Sequence, residues 1–383
     1  MDMIYNFNSA QLIHAKSAYT TRRISFSAIQ SLITGFCQPL SGDLVLARVD
    51  EIGQHKRLEL ADGRKAKLFP GDEVILCYGH RYAPDQFEAE VPPDLRSCHL
   101  VAAGGLAGQV IKQNLTIDPP TTLTPLGLLG DSDGKPLNIK KWGLNVESSA
   151  RKRPLTIAVI GSSMNSGKTT TAAYLIRGLV KAGLTVGAAK VTGTGAGNDP
   201  WFMKDAGASI VVDFTDVGFA STYKLPVEDL HLIFEQLMGH IIDTNVDAII
   251  VEVADGIYQD ETSYLIESYE FLKSIDGVIF AAGDAVGAVG GVTWLKQHGL
   301  PIIGIGGLLT TSPLAIDETR KSVHLPVWDL DDLSHPSILS LIQSSNPIRS
   351  SEQIQQSHQP ILPQYCQAIS KIYNSKAVNG KNS

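Results

Sequence analysis

Apolar and polar positions divide the chain into two stretches of different period. Over residues 41–147 they alternate in short runs: Leu44-Val45-Leu46-Ala47-Arg48-Val49, Arg57-Leu58-Glu59-Leu60, Ala66-Lys67-Leu68-Phe69 and Val74-Ile75-Leu76-Cys77-Tyr78, separated by Asp62-Gly63 and Pro70-Gly71-Asp72. Alternation with Asp-Gly and Pro-Gly turns predicts short strands forming a small β-barrel or curled sheet. Over residues 154–342 the strand-like runs are apolar on both faces: 155–160, 185–191, 210–212, 248–253, 277–282 and 301–305. Helix-length amphipathic segments, such as 227–243 and 261–274, lie between the later ones. That pattern predicts an α/β domain with a mostly parallel sheet covered on both sides by helices. Residues 1–40 read as a lead-in with a helix over 27–33, and 343–383 as a polar tail with a short helix near 365–373. The basic connector 148–154 marks the boundary between the two domains.

The first strand of the α/β stretch runs into Gly161-Ser162-Ser163-Met164-Asn165-Ser166-Gly167-Lys168-Thr169-Thr170 and then into helical spacing. Strand, small-residue turn and helix are the setting a phosphate loop requires. Free N–H groups of the turn and the positive end of the helix make an anion cradle, so Ser163, Met164, Asn165, Ser166, Gly167, Lys168, Thr169 and Thr170 are expected to hold a nucleoside triphosphate. Lys168 would reach the β- and γ-phosphates and the Thr169 hydroxyl would hold Mg²⁺. The usual first glycine of the motif is Ser162 here, with Gly161 one position early. In such sheets ligands lie beyond the carboxyl ends of the strands. That rule nominates Lys190, Glu252 and Asp255, and the loops around Asn198, Asp199, Asp213 and Asp216. Glu252 or Asp255 would steady Mg²⁺ or a water, the acidic partner being expected two strands from the phosphate loop. Asp213 and Asp216, three apart, either complete a cation or substrate site or cap a helix. Asp284 and residues 304–313 lie where a base would be read. No Asn-Lys-x-Asp guanine signature is present, which favours ATP.

Composition narrows the partners. A net charge of −7 over 383 residues argues against nucleic acid. No run is long and apolar enough to cross a membrane and the first residues do not start an export signal, so a cytoplasmic location is expected. Cys37, Cys77, Cys98 and Cys366 form no C-x-x-C pair and read as core thiols. Residues 102–108 are glycine-rich without a strand–helix setting, which fits close backbone packing as well as phosphate. His80 and Arg81 lie in a mixed aromatic and polar stretch that reads first as an ordinary solvated connection, and second as a loop touching a substrate or the other domain.

The early glycine before Gly167-Lys168-Thr169, the lysine at 190 followed by Val-Thr-Gly-Thr-Gly, and Ile250-Val251-Glu252 together resemble dethiobiotin synthetase and its relatives. To a lesser degree the chain is similar to the P-loop protein of molybdopterin-guanine dinucleotide biosynthesis. The first resemblance implies that Lys190 assists substrate chemistry and phosphate charge. It departs at Val253-Ala254-Asp255-Gly256, at the missing proline after Lys190, and in the β-rich domain that precedes the loop. The resulting expectation is a Mg-ATP-dependent ligase or kinase acting on a small-molecule acceptor, with Lys168, Lys190 and Glu252 as catalytic groups and a homodimer allowed. The rival is a nucleotide-gated switch whose N-terminal domain binds a macromolecule.

Overall fold

The structure, a computed structural model, describes residues 3–6, 12–146 and 151–345. The N-terminal module contains strands β1 (Met3–Asn6), β2 (Lys16–Ser17), β3 (Ser31–Thr34), β4 (Leu44–Glu51), β5 (Arg57–Glu59), β6 (Lys65–Lys67), β7 (Glu73–Tyr78), β8 (Arg81–Tyr82), β9 (Phe87–Glu90), β10 (Cys98–Ala102), β11 (Leu106–Gln113) and β12 (Thr121–Gly130). Ten of them form one mixed sheet, and β5 pairs with β6 apart from it. The neighbours β12, β4, β7, β11 and β10 return on themselves, because β10 pairs with both β11 and β12. The expected small barrel or curled sheet is seen as one mixed sheet that curls back through these five strands, β1 and β3 extending it past β12, and β9 and β8 past β11.

The lead-in belongs to this sheet. Residues 27–33, expected as a helix, instead form a 3₁₀ turn at Phe26–Ala28 and strand β3, whose backbone pairs with β1 and β12. Long-range strand pairing overrides the weak local helical spacing. Leu58, Tyr78, Leu100 and Leu123 fill one apolar cluster of the module; Leu44, Ile75 and Leu106 fill another.

The second module is a six-stranded sheet of β13 (Leu155–Gly161), β14 (Val186–Lys190), β15 (Ile210–Asp213), β16 (Ala248–Glu252), β17 (Gly277–Ala281) and β18 (Ile302–Gly306). All its neighbours are parallel, in the order β15-β14-β16-β13-β17-β18. Every residue of β14, β16 and β17 is buried, as expected for strands covered on both faces. Helices α1 (Lys168–Lys181), α2 (Asn198–Asp205), α8 (Leu330–Ser334) and α9 (Ile338–Ser345) pack on Ile157 and Val159 of β13. Helices α3 (Val227–Asp243), α4 (Asp260–Ile266), α5 (Tyr269–Ser274), α6 (Ala285–Gln297) and α7 (Pro313–Ser322) pack on Ala158 and Ile160. Alternate residues of one central strand thus feed two cores.

Helix α3 spans the expected 227–243 and buries Leu230, Ile233, Phe234, Leu237, Met238 and Ile241 at helical spacing. The segment 261–274 is two helices, because the Ser268 hydroxyl accepts the Phe271 N–H at 3.2 Å and starts a new one. Residues 198–202, expected as a loop, open α2 instead. The tail's first residues extend α9 to Ser345, past the expected boundary at 342, and the helix expected near 365–373 lies outside the described residues. Cys37, Cys77 and Cys98 are buried thiols; Cys366 also lies outside.

The two modules fall within one compact unit. The N-terminal module meets the loops that follow β14 and β15. A Cβ at Gly104 would lie 2.1 Å from the carbonyl oxygen of Gly195, so the glycine-rich turn 102–108 serves a close backbone approach. Nearby, the Gly197 N–H donates to Glu59 at 2.9 Å.

Candidate nucleotide site

Strand β13 delivers the chain to the phosphate loop and α1 receives it. Gly167, with φ of 90°, makes the reversal; a Cβ there would lie 2.9 Å from the Leu308 nitrogen. The Leu308 N–H in turn donates to the Ser166 carbonyl at 2.9 Å, so the turn after β18 buttresses the loop from behind. Gly161 has its own reason: a Cβ there would lie 2.2 Å from the Ser166 hydroxyl and 2.8 Å from Cγ of Lys168. The early glycine makes room for the lysine stem to fold over the strand end.

Lys168 is 3 % exposed. Its ammonium donates to the carbonyls of Ser163 at 2.7 Å and Met164 at 3.2 Å. Burial pulls its pKa down to about 8, against the attraction of Glu252 and Asp255. Two carbonyls are a thin substitute for water around a buried cation, and a polyanion would be a better one.

Glu252 ends β16. Its register partners are Val159 of β13 on one side and Lys190 of β14 on the other. The acidic partner is therefore on the strand next to the phosphate loop, not two strands away, since the chain order of strands is not their spatial order. One Glu252 oxygen accepts the Thr169 hydroxyl at 2.8 Å, and the other, Oε2, is buried with no partner among the described residues. Burial raises the Glu252 pKa, Lys190 and Lys168 opposing it and Asp199 adding to it. A hydroxyl and an orphaned carboxylate oxygen are hard donors that fit Mg²⁺, which takes one or two protein oxygens and fills its octahedron with phosphate and water. No cluster of three or more His, Cys, Asp or Glu side chains able to hold a metal occurs among the described residues.

Asp255 follows three residues later in a left-handed backbone conformation, φ 62°, which Asp tolerates better than most residues. A Cβ at Gly256 would lie 2.6 Å from the Ser162 carbonyl oxygen, which places this acidic turn against the phosphate loop. Burial raises the Asp255 pKa, with Lys168 and Lys190 pulling the other way. Lys190 is buried and ion-paired with Asp199 in the first turn of α2. Burial disfavours its charge, but Asp199 and Glu252 outweigh that and raise its pKa. The structure thus gathers Lys168, Thr169, Lys190, Asp199, Glu252 and Asp255 at the carboxyl edge of three adjacent strands.

The other sequence candidates fall outside this group. Asn198 is exposed and accepts from Lys65 at 3.1 Å. Asp213 accepts the Tyr19 hydroxyl at 2.9 Å, and Asp216 is ion-paired with Arg22. Arg22 also donates to the Thr215 hydroxyl at 2.6 Å and its ring-facing guanidinium lies 3.9 Å from the Tyr19 centroid. Asp213 and Asp216 thereby join the modules. Asp216 also accepts the Asp213 N–H at 2.9 Å within the turn. Asp284 caps α6 through the Gly287 N–H at 2.7 Å. His80 accepts the Val91 N–H at 3.4 Å inside its own module. Sequence reasoning missed the role of Tyr19 and Arg22, which lie in the polar run Tyr19-Thr20-Thr21-Arg22-Arg23 of the lead-in.

A family described as molybdopterin guanine dinucleotide synthesis protein B matches residues 156–266, from β13 through α4. No curated protein matches the chain. Among solved structures, chloroplast FtsY from Physcomitrella patens is 14 % identical, with 55 % of this chain aligned to 70 % of that one at a TM-score of 0.35. The signal recognition particle 54 kDa protein from Aeropyrum pernix K1, in complex with GDP, is 18 % identical over 57 % of this chain and 53 % of its own, TM-score 0.33. A nucleotide-binding protein in complex with ADP from Archaeoglobus fulgidus is 15 % identical over 50 % and 89 %, TM-score 0.35. Likeness at that level carries neither substrate nor nucleotide over to this chain. The loop geometry and the family match give the second module as a P-loop NTPase domain, and the chain as a nucleotide-binding protein. No helix among the described residues is long and apolar enough to cross a membrane.

Proposed function

We infer that the chain is a Mg-ATP-dependent enzyme that activates or phosphorylates a small-molecule acceptor. The observation that carries this reading is the Thr169–Glu252 contact with its unpartnered Glu252 oxygen, set beside a buried Lys168 that has only loop carbonyls to hold. Lys168 would leave Ser163 and Met164 for the β- and γ-phosphates, and the N–H groups of 163–170 would hold the remaining oxygens. Thr169 and Glu252 would hold Mg²⁺, which when bound neutralises charge shared by those phosphates. Lys190, released in part from Asp199, would face charge developing on the transferred group, and Asp255 would orient the attacking acceptor or a water. ATP is preferred because the guanine signature is missing. The matched family's name refers to a guanine dinucleotide, so GTP belongs in the same assay.

The test is phosphate or nucleoside diphosphate release from Mg-ATP and Mg-GTP, alone and with a panel of small carboxylates, amines and hydroxyl compounds. An enzyme of this class shows strong stimulation by one acceptor. A second reading, a nucleotide-gated switch, is favoured by one observation: the N-terminal module is fastened to the loops after β14 and β15, where a change at Lys190 or Asp213 would reach it. Stimulation by a macromolecule and by no small acceptor would select that reading.

A further inference from the structure

The N-terminal module supplies more than a neighbouring surface. Its β8–β9 hairpin reaches the phosphate loop, where Asn165 donates to Asp85 at 3.2 Å. The same hairpin is held on its other side by the loop after β15. Tyr223 donates to Glu88 at 3.0 Å, Lys224 pairs with Glu90, and the Tyr82 and Tyr223 rings lie 5.5 Å apart. A strand pair of the first module is thereby fixed across the carboxyl edge of the second module's sheet.

Arg81 begins this hairpin. It is 6 % exposed, yet it makes no ion pair among the described residues, donates only to the neutral Gln86 at 2.9 Å, and leaves Nε buried without a partner. Asp85 has a buried unpartnered oxygen of its own. The only carboxylates whose charge raises the Arg81 pKa are Asp85 and Asp255; burial overrides both and pulls it down to about 10. Asp255 belongs to the turn that abuts Ser162 and feels both Lys168 and Arg81. A buried guanidinium in direct contact with no carboxylate among the described residues is costly, and Gln86 with the more distant charges of Asp85 and Asp255 offsets that cost only in part. A bound oxyanion would offset the remainder.

We propose that Arg81 is an anion ligand delivered by the N-terminal module, on the hairpin that touches Asn165, to the terminal phosphate of the bound nucleoside triphosphate. This rests on the reading of 161–170 as a triphosphate loop and adds that the site is incomplete without the first module. It also gives the β-rich module a reason to be fastened here: a loose module would not hold a cation in register with a phosphate.

The test is titration of the full chain with Mg-ATP and Mg-ADP, followed by displacement of a fluorescent nucleotide. Arg81→Gln keeps a planar, hydrogen-bonding head on a shorter stem and removes the charge. It is expected to weaken ATP about 10- to 100-fold, the range of one charge-assisted hydrogen bond, and to leave ADP within about threefold. Arg81→Lys is expected to recover part of the ATP affinity, and Lys112→Ala, an exposed change on the adjacent strand, none of the loss. Equal losses for ATP and ADP, or no loss in a folded Arg81→Gln protein, overturn the proposal. Should Arg81→Gln fail to fold, Arg81→Lys decides: wild-type ADP affinity with lowered ATP affinity supports the proposal, and unchanged ATP affinity overturns it. Lys168→Ala separates the two levels, because full nucleotide binding in that variant refutes the phosphate loop itself.

Discussion

The burial of Lys168 carries a cost that can be measured. Burial brings its pKa from 10.5 down to about 8. At 1.36 kcal/mol per unit, that difference amounts to about 3 kcal/mol by which folding disfavours the charged lysine. Between pH 8 and 10.5 the unfolded chain binds more protons than the folded one, so stability rises with pH across that window. Below pH 8 the penalty is present in full; above 10.5 it is gone. Lys168→Met keeps the stem and removes the charge. The variant should therefore be more stable than the parent at pH 7 without nucleotide, by about 2–3 kcal/mol, and the advantage should shrink as pH passes 8. Denaturant titration followed by circular dichroism at pH 7, 8, 9 and 10 measures it. Added Mg-ATP should stabilise the parent and not the variant, since binding to the native state alone raises stability by mass action. A variant no more stable than the parent at pH 7, or a difference independent of pH, would refute the argument that the lysine is stored at a cost awaiting phosphate.

Three other outcomes follow from the packing. Arg22→Ala removes the guanidinium shared by Asp213 and Asp216, leaving Asp216 with Arg23 at 3.4 Å, and should cost about 2–4 kcal/mol in thermal or denaturant unfolding, part of it recovered in Arg22→Ala/Asp216→Ala. Gly104→Ala forces a methyl group against the Gly195 carbonyl; a loss of about 2 kcal/mol or more is expected, with limited proteolysis accelerated in the connector between the modules. His55 is 9 % exposed, its Nδ1 has no partner among the described residues, and burial, aided by Arg81, lowers its pKa to about 4. Between pH 6.5 and 4 the unfolded chain takes up the proton first, so stability should fall by about 3 kcal/mol as pH drops through that window. His55→Phe should flatten that slope; an unchanged acid profile would show that another group carries it.

Local signals were legible and long-range ones were not. The phosphate loop is written in ten consecutive residues, and the strands around it in runs whose two-sided apolarity has one physical meaning. The α2 helix was misread because Asn198-Asp199-Pro200 looks like a turn. The same three residues are also compatible with a first helical turn, where proline lacks nothing and an acid suits the helix dipole. The helix expected over 27–33 failed because β3 draws its backbone partners from residues nearly a hundred positions away. Glu252 was recognised from its strand end, yet its place beside the loop depends on a strand order that spacing does not encode. Gly104 and Gly195 could not be paired by reading either alone, since each looks like any small residue in a turn.

The unmatched polar atoms of the second module's carboxyl edge bear on one another. Glu252 Oε2 lacks a cation and Arg81 Nε lacks an anion, while Lys168 leans on carbonyls. Buried polar atoms in a structural core find partners, because each one left over costs about 1–3 kcal/mol. Two carboxylates of the interface do have them: Asp213 accepts from Tyr19, and Asp216 pairs with Arg22. The contrast separates the two roles of the module contact. Where charges are matched, it holds the modules together; at Glu252 and Arg81, the proposed ligand would supply both a negative charge and an associated cation. A nucleoside triphosphate with Mg²⁺ has that combination, and a metal alone or a free carboxylate does not.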